Sequence, residues 1–509
     1  MVKKSIITLC IAVLFAFLIN CSANSPEKTR YDMEKILYKA QKISERIQIQ
    51  PELTTAQDSL ELKQVYQQAL DYYLAHIDDP DLTRIPEIVN DMNLMAVSAQ
   101  SQLIKYYAGH SETDSTIAGY RRLIDGTIPA SPEDRMGATF SLALFYRSMM
   151  MFDSTYAIYD RLLESYYPPV DSLQHVNSDV IALPVDKINI ALATGDSATA
   201  NRYIDQALAY YTQLKADYPH NPVSQTATVF LGRVYSMDQQ WDKAIAELEQ
   251  LKDSTGNIVI NAQILIANIY NDPKNNKNKA IELYRDVINR TDDSTIIGSV
   301  LLREGVALCA LGRYDEGREK LSELKDKFAP YPNLMAQAQL FYARTFEAQD
   351  RWDRALSEYQ WLMDNYPYTG EAFQTMAYIP EHFKHEGDQK LADIWYERAV
   401  EFYLRAANNQ KDRPIEVAAY KYLADIYRKL EKWPEAINTL ETIYEKSPRS
   451  RSGAAALFNA ARVSYLHLGD SLQAEKYLET LRTEFGTTDT SKIADDSPTP
   501  IDSDIESLE

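Results

Sequence analysis

Little in this chain is built for tight turns: 509 residues include only 16 glycines and 21 prolines. That scarcity disfavours an all-β protein, whose hairpins draw heavily on both. Cysteine is scarcer still, with Cys10, Cys21 and Cys309 as the whole set. The first two fall in or just after an apolar N-terminal run. Cys309 is left without a disulfide partner, in an apolar stretch (301–312) where a free thiol packs as a small hydrophobe. Positive charge is in deficit, 53 Lys and Arg against 73 Asp and Glu, for a formal net charge of −20. Such a surface repels phosphate backbones and offers no polybasic grip on anionic lipid, so no nucleic-acid partner is expected. Phosphate-binding glycine loops (GxGxxG, GxxxxGK[ST]), the HExxH zinc motif and the GxSxG nucleophile elbow are all missing from the sequence. No catalytic residue, cofactor or metal is therefore assigned. His382 and His385 stand at i,i+3, a spacing that can bring two imidazoles to one ion, but no third ligand is specified. The pair reads as an exposed helix end.

What is present is a folded composition, 45% hydrophobic and 25% charged, with 35 tyrosines. Tyrosine joins a large apolar body to a polar tip, which suits contacts half buried between helices. The N-terminus has three parts: Lys3 and Lys4, an apolar run from Ile6 to Ile19, and a polar stretch from Cys21. The run is short for a bilayer span, which takes about 20 residues, and reads as a signal peptide. Leu18-Ile19-Asn20-Cys21 resembles a bacterial lipobox, with Asn20 where that family has a small residue. The resemblance implies cleavage after residue 20 and lipid attachment at Cys21. Two or three acyl chains would make attachment effectively permanent, since each buried methylene contributes about 0.8 kcal/mol. Ser22 rather than Asp after the cysteine implies the outer membrane.

The body repeats. A turn, a small residue and then an aromatic residue or Leu four positions on is the recurring pattern, in clear or weaker form, with the small residue at Thr116, Thr155, Ala200, Ala244, Ala280, Gly317, Ala355, Ala392, Ala436 and Ala474. The spacing runs from roughly 36 to 45 residues, near the length of a helix–turn–helix repeat; the longer gaps call for extended helices or loops. A small side chain lets the second helix of a unit (helix B) approach the first (helix A), and the residue four on lies on the same face. Trp241, Tyr314, Trp352 and Trp433 share one turn position and are expected to plug the space between units. Gly195-Asp196, Gly387-Asp388 and Gly469-Asp470 place a helix-ending glycine beside an aspartate able to cap the next helix. Asp-Ser at 114–115, 153–154 and 470–471 is expected to cap likewise.

With Pro367-Tyr368-Thr369 to Ala372 and Pro448-Arg449-Ser450 to Gly453 after two helices B, the units resemble tetratricopeptide repeats (TPRs). They are similar to those of bacterial envelope proteins such as the outer-membrane assembly lipoprotein BamD and the Tol-Pal-associated periplasmic TPR protein. The expected fold is all-α, a TPR-type α-solenoid of about ten helix–turn–helix repeats. The expected organisation is a lipoprotein signal peptide (1–20), a tether (21–29), an N-terminal helical cap or degenerate TPR (30–112), the solenoid (113–486) and an acidic disordered tail (487–509).

The resemblance implies a non-enzymatic scaffold whose concave groove takes protein or peptide partners. Lipid-anchored in the bacterial envelope and facing the periplasm, it would serve outer-membrane protein assembly or envelope organisation. The alternative is a SusD-like nutrient-binding lipoprotein. That family shares the anchor, the length and TPR helices, but carries large Gly-, Asn- and Trp-rich insertions, whereas the repeats here run almost back to back. A helical enzyme is a third reading, disfavoured by the missing motifs.

Overall fold

The computed structural model describes residues 25–485, except 50–55, 110–111, 172–174, 220, 329, 411–413 and 449. The signal peptide, Cys21 and the tail (487–509) lie outside the described residues. Among those described there are 23 α-helices and no strand; the one non-helical pairing is an isolated bridge between Val170 and Val176. The chain divides into two compact units, Met1–Arg147 and Ser148–Glu509.

The first unit holds α1 (Pro26–Ile49), α2 (Ala56–His76), a short α3 (Pro80–Thr83), α4 (Pro86–Gly109), α5 (Thr113–Ile124) and α6 (Pro132–Ser148). Helices α1, α2 and α4 pack on one another around Met33, Leu70, Tyr73 and Met92, all fully buried. Helix α5 carries Thr116 and pairs with α4, so helical pairing of the repeat kind begins upstream of residue 113.

The second unit opens on α7 (Phe152–Ser165). Eight hairpins follow, each a helix A then a helix B. They are α8 (Ser178–Ala193) with α9 (Ser197–Asp217), α10 (Pro222–Met237) with α11 (Trp241–Leu248), and α12 (Asn257–Asn271) with α13 (Lys277–Arg290). Next come α14 (Ser294–Ala310) with α15 (Tyr314–Lys327) and α16 (Pro332–Glu347) with α17 (Trp352–Asn365). The series ends with α18 (Gly370–His385) and α19 (Gln389–Asn409), α20 (Pro414–Lys429) and α21 (Trp433–Lys446), and α22 (Arg451–Leu466) and α23 (Ser471–Phe485). Each helix packs on the next. Helix A also meets the following helix A at α8–α10, α10–α12, α14–α16, α16–α18 and α18–α20. Helices A thus form the inner, closely spaced layer of this unit and helices B the outer one.

Every turn from A to B in this unit has the same backbone device: two residues before helix B the chain enters the left-handed region. Glycine holds the position at Gly195, Gly312, Gly387 and Gly469, with φ between 66° and 80°. Gln239, Asn275, Asp350 and Glu431 hold it with φ of 46–58°, and Met150 does the same before α7 with φ 59°. A side chain there costs roughly 1–2 kcal/mol. The glycine–aspartate turns cap as their sequence implies: Asp196, Asp388 and Asp470 accept from the amides of Thr199, Leu391 and Gln473. Asp114 and Asp153 do not cap. They sit inside the first turns of α5 and α7, whose N-caps are Glu112 and Met151 and make no side-chain cap bond. Their charge still favours the positive end of each helix dipole.

Between hairpins, Thr369 and Ser450 explain the Pro-x-Ser/Thr pattern. Each hydroxyl accepts from the amide three residues on (Ala372 at 3.3 Å, Gly453 at 3.1 Å) and donates to the carbonyl three residues back (Tyr366 at 2.9 Å, Ser447 at 2.6 Å). One side chain closes one helix and opens the next.

The unit also contains a longer repetition. Residues 181–245 and 373–437 align with a constant offset of 192: Gly195 with Gly387, Asp196 with Asp388, Tyr211 with Tyr403, Pro222 with Pro414 and Trp241 with Trp433. The geometry follows. Tyr211 donates to the Ile181 carbonyl and Tyr403 to that of Phe373, both at 2.6 Å. Tyr211 stacks on Phe230 and Tyr403 on Tyr422. Helices α9 and α19 are each 21 residues long, against 14 for α13, α15, α17 and α21. Those extra turns account for the two long spacings after Ala200 and Ala392.

Replacing Glu431 or Gln239 with glycine is expected to raise stability by about 0.5–1 kcal/mol, because relief of the left-handed strain outweighs the added freedom of the unfolded chain. Chemical denaturation of the single variants checks this; a glycine that lowers the midpoint contradicts it.

Candidate interaction surface

The ten small residues all face inward. Thr116, Thr155, Ala244, Ala280, Ala355, Ala392 and Ala436 are fully buried, with Ala200 and Ala474 at 1% and 5% exposure. Gly317 shows how little room the position has. A Cβ there would lie 2.3 Å from Cys309 Sγ and 3.0 Å from the Gly305 carbonyl oxygen. Cys309 is the buried thiol filling that gap, and burial pushes it up to about 11, so it stays protonated. Residues four positions on fill the neighbouring space: Ile204, Leu248, Tyr284, Leu321, Tyr359, Tyr396 and Leu440 are buried.

Trp241, Tyr314, Trp352 and Trp433 each start a helix B and are half buried. Trp241 packs on a cluster that includes Ala262 and Ile269 of α12, and Tyr314 on one with Met335 and Ala338 of α16. Trp352 stacks on His382 of α18, ring centroids 3.4 Å apart, and Trp433 on His467 after α22 at 3.8 Å. Each of these rings therefore reaches helix A of the following hairpin or the turn after it. His382 is not an exposed helix end, since only 19% of its side chain meets solvent; His385 is exposed. Burial lowers the His382 pKa, with Glu347 opposing at 3.8 Å. The imidazole is a neutral stacking plate. Among the described residues no group of three His, Cys, Asp or Glu side chains is placed to hold a metal.

Tyrosine hydroxyls tie helix B back to helix A. Tyr284 donates to Asn268 at 2.7 Å and Tyr396 to Glu381 at 2.6 Å. Tyr359 and Tyr378 donate to separate oxygens of Glu347. Burial raises the pKa of Tyr359 and Tyr403 well above 10, so both remain neutral donors. Three other buried charges are paired across neighbouring helices. Arg285 meets Glu304 at 2.6 Å, Lys446 meets Glu416 at 3.0 Å, and Lys187 pairs with Asp160. These groups are locked into packing, and their chemistry is that of struts.

Open cavities on the second unit include two of several hundred Å³. One of about 400 Å³ lies in the outer layer between α17 and α19, around Trp395, Phe402, Arg398 and Arg405. The other, about 330 Å³ and mostly apolar, lies beside Phe328, Tyr331 and Leu334. Sequence reasoning missed the first; the 192-residue self-alignment carries the signal for it. The last hairpin exposes Tyr465, Leu466, Leu468 and Leu472. No described helix is long and apolar enough to cross a membrane.

Residues 185–257 match the family model described as tetratricopeptide repeat. No curated protein matches. Among solved structures, the chain resembles a tetratricopeptide repeat protein from Parabacteroides merdae (14% identity, 61% of this chain and 95% of that one, TM-score 0.28). It also resembles yeast Tom70 (13% identity, 90% and 93%, TM-score 0.38) and the APC/C hetero-tetramer Cut9-Hcn1 (13% identity, 91% and 94%, TM-score 0.28). The fold is an all-α, TPR-type solenoid.

Ala355→Leu overpacks the contact between α16 and α17 and is expected to cost about 1–3 kcal/mol. Gly317→Ala should cost a similar amount and recover in part when Cys309→Ala is added; a thermal melt of the pair against the single variants tests the coupling. The depressed His382 pKa means the folded state binds fewer protons there than the unfolded chain. Stability is accordingly expected to fall as pH drops through about 6.5. Denaturant titrations from pH 7.5 to 5.5 should show a shallower fall for His382→Gln; an identical slope contradicts a buried neutral imidazole.

Proposed function

We propose that this chain is a lipid-anchored TPR-type scaffold of the bacterial cell envelope, holding other polypeptides rather than transforming a substrate. The observation that carries the reading is the run of eight hairpins, in which helix A meets the following helix A at five of the seven junctions and so presents a layered surface. Such a surface suits extended or helical segments of a partner. The tetratricopeptide-repeat match over 185–257 supports the same role. The lipobox-like Leu18–Cys21 supports attachment at Cys21, which would confine the partner search to one membrane surface. By the resemblance of its repeats to those of the BamD and Tol-Pal-associated type, the work would be outer-membrane protein assembly or envelope organisation at the periplasmic face.

The net charge of −20 favours partners with basic segments and disfavours nucleic acid. Cys21→Ser is expected to leave helical content unchanged while moving the protein from the detergent phase to the aqueous phase. Chemical crosslinking in intact membranes should then capture protein partners with the unaltered chain and lose them with the Cys21→Ser variant. Partitioning that ignores Cys21 refutes the anchor, and a purified chain that turns over a substrate refutes the scaffold.

A further inference from the structure

The two stretches related by the 192-residue offset are entered differently. In the first, eleven residues lead from Tyr166 at the end of α7 to Asn177, the N-cap of α8; in the second, three lead from Tyr366 at the end of α17 to Thr369, the N-cap of α18. The longer connection folds back beside α9. The Asn177 amide donates to the Pro169 carbonyl at 2.8 Å, Val170 bridges Val176, and both valines pack on the cluster containing Tyr203, Ala207 and Leu214. The counterparts of those three residues are Trp395, Ala399 and Ala406 of α19. The shorter connection has no such segment, and a cavity of about 400 Å³ opens there, with Trp395 and Ala406 in its wall.

The floor of the cavity is apolar: Met363, Met376 and Trp395 are buried and Phe402 is half buried. Its rim is charged, with both signs. Where α9 has Gln206, Ala209 and Gln213, α19 has Arg398, Glu401 and Arg405, and Asp364 joins them from the end of α17. Charge of both signs on the long helix B is thus found in the copy whose cavity is open. Arg398 lies over the Trp395 ring at 4.7 Å. Among the described residues none of these four charged side chains stands within ion-pair distance of an opposite charge, although Glu401 lies three residues from Arg398 and four from Arg405 on one helix.

We propose that this cavity binds a small zwitterion, an α-amino acid with an apolar side chain. A segment tethered at both ends brings no terminal charges to such a place; a free molecule brings its own. Its carboxylate is taken by Arg398 and Arg405, whose planar guanidinium groups suit it, and its ammonium by Asp364 and Glu401. Its side chain rests on Met363, Met376 and Phe402, as the two valines rest on the first copy. An anion alone would be set against two carboxylates, and a cation alone against two guanidinium groups. A wholly apolar molecule would strip water from four charges and return no hydrogen bond. The volume is of the order of small-molecule sites, roughly 300–1,000 Å³. The cavity belongs to the outer layer, so its ligand does not compete with a polypeptide on helices A.

The test is isothermal titration of the full chain in detergent with L-leucine, L-methionine and L-phenylalanine. At least one is expected to bind saturably at one site per chain. Two analogues of leucine, isocaproate without the ammonium and isoamylamine without the carboxylate, should each bind at least about tenfold more weakly, as each loses one charge-assisted contact. The combined variant Arg398→Gln, Glu401→Ala, Arg405→Gln carries the residues of the first copy, where the same helix folds with them; it should keep its helical content and lose the binding. No saturable binding of any of the three amino acids overturns the proposal. So does undiminished binding by the combined variant, isocaproate binding as tightly as leucine, or glucose binding in place of the amino acids.

Discussion

The close approach of helix B to helix A at one small residue per hairpin is the constraint on which the rest depends. At Gly317 even a methyl group would meet a sulfur and a backbone carbonyl; at Ala355 and Ala392 the methyl is fully buried. Once that distance is set, the residue four positions on meets the facing helix at a fixed depth. Tyrosine there can bury its ring and still place its hydroxyl on an acceptor of helix A. Ring and hydroxyl then fix the register of the hairpin together, because a slip by one residue would bury the phenol without a partner. Tyrosine holds five of these ten positions, at Tyr120, Tyr159, Tyr284, Tyr359 and Tyr396.

The joints between hairpins are more varied. An aromatic residue at the start of helix B reaches the next helix A in three hairpins and the turn after it in a fourth, and two of these rings stack on a histidine. Elsewhere the next hairpin is held by bridges such as Arg285 with Glu304. Each such bridge joins a neighbour to its neighbour, so distant hairpins influence one another only through those between them.

The ten small positions were legible in the sequence because spacing and residue size carry the constraint directly. The A-to-B turns were legible only where glycine held the left-handed position. Gln239, Asp350 and Glu431 adopt the same backbone without announcing it, since the tightness of the hairpin imposes φ whatever the side chain. Asp114 and Asp153 misled because capping depends on where the helix starts, which the turn decides and the Asp-Ser pair does not. His382 looked exposed because helix ends usually are; the indole that covers it comes from another hairpin. The outer cavity was invisible to motif reading, because it is defined by a loop that one copy has and the other does not.

The constant offset between Gly195 and Gly387 has an evolutionary corollary. Recombination between the two copies of the coding sequence would remove or add a block of 192 residues. Both junctions would fall at matching glycine–aspartate turns, so a shortened descendant would pair α8 with α19 across an unchanged turn. Such a descendant would differ from its parent by ten helices, the number that lie between the two turns.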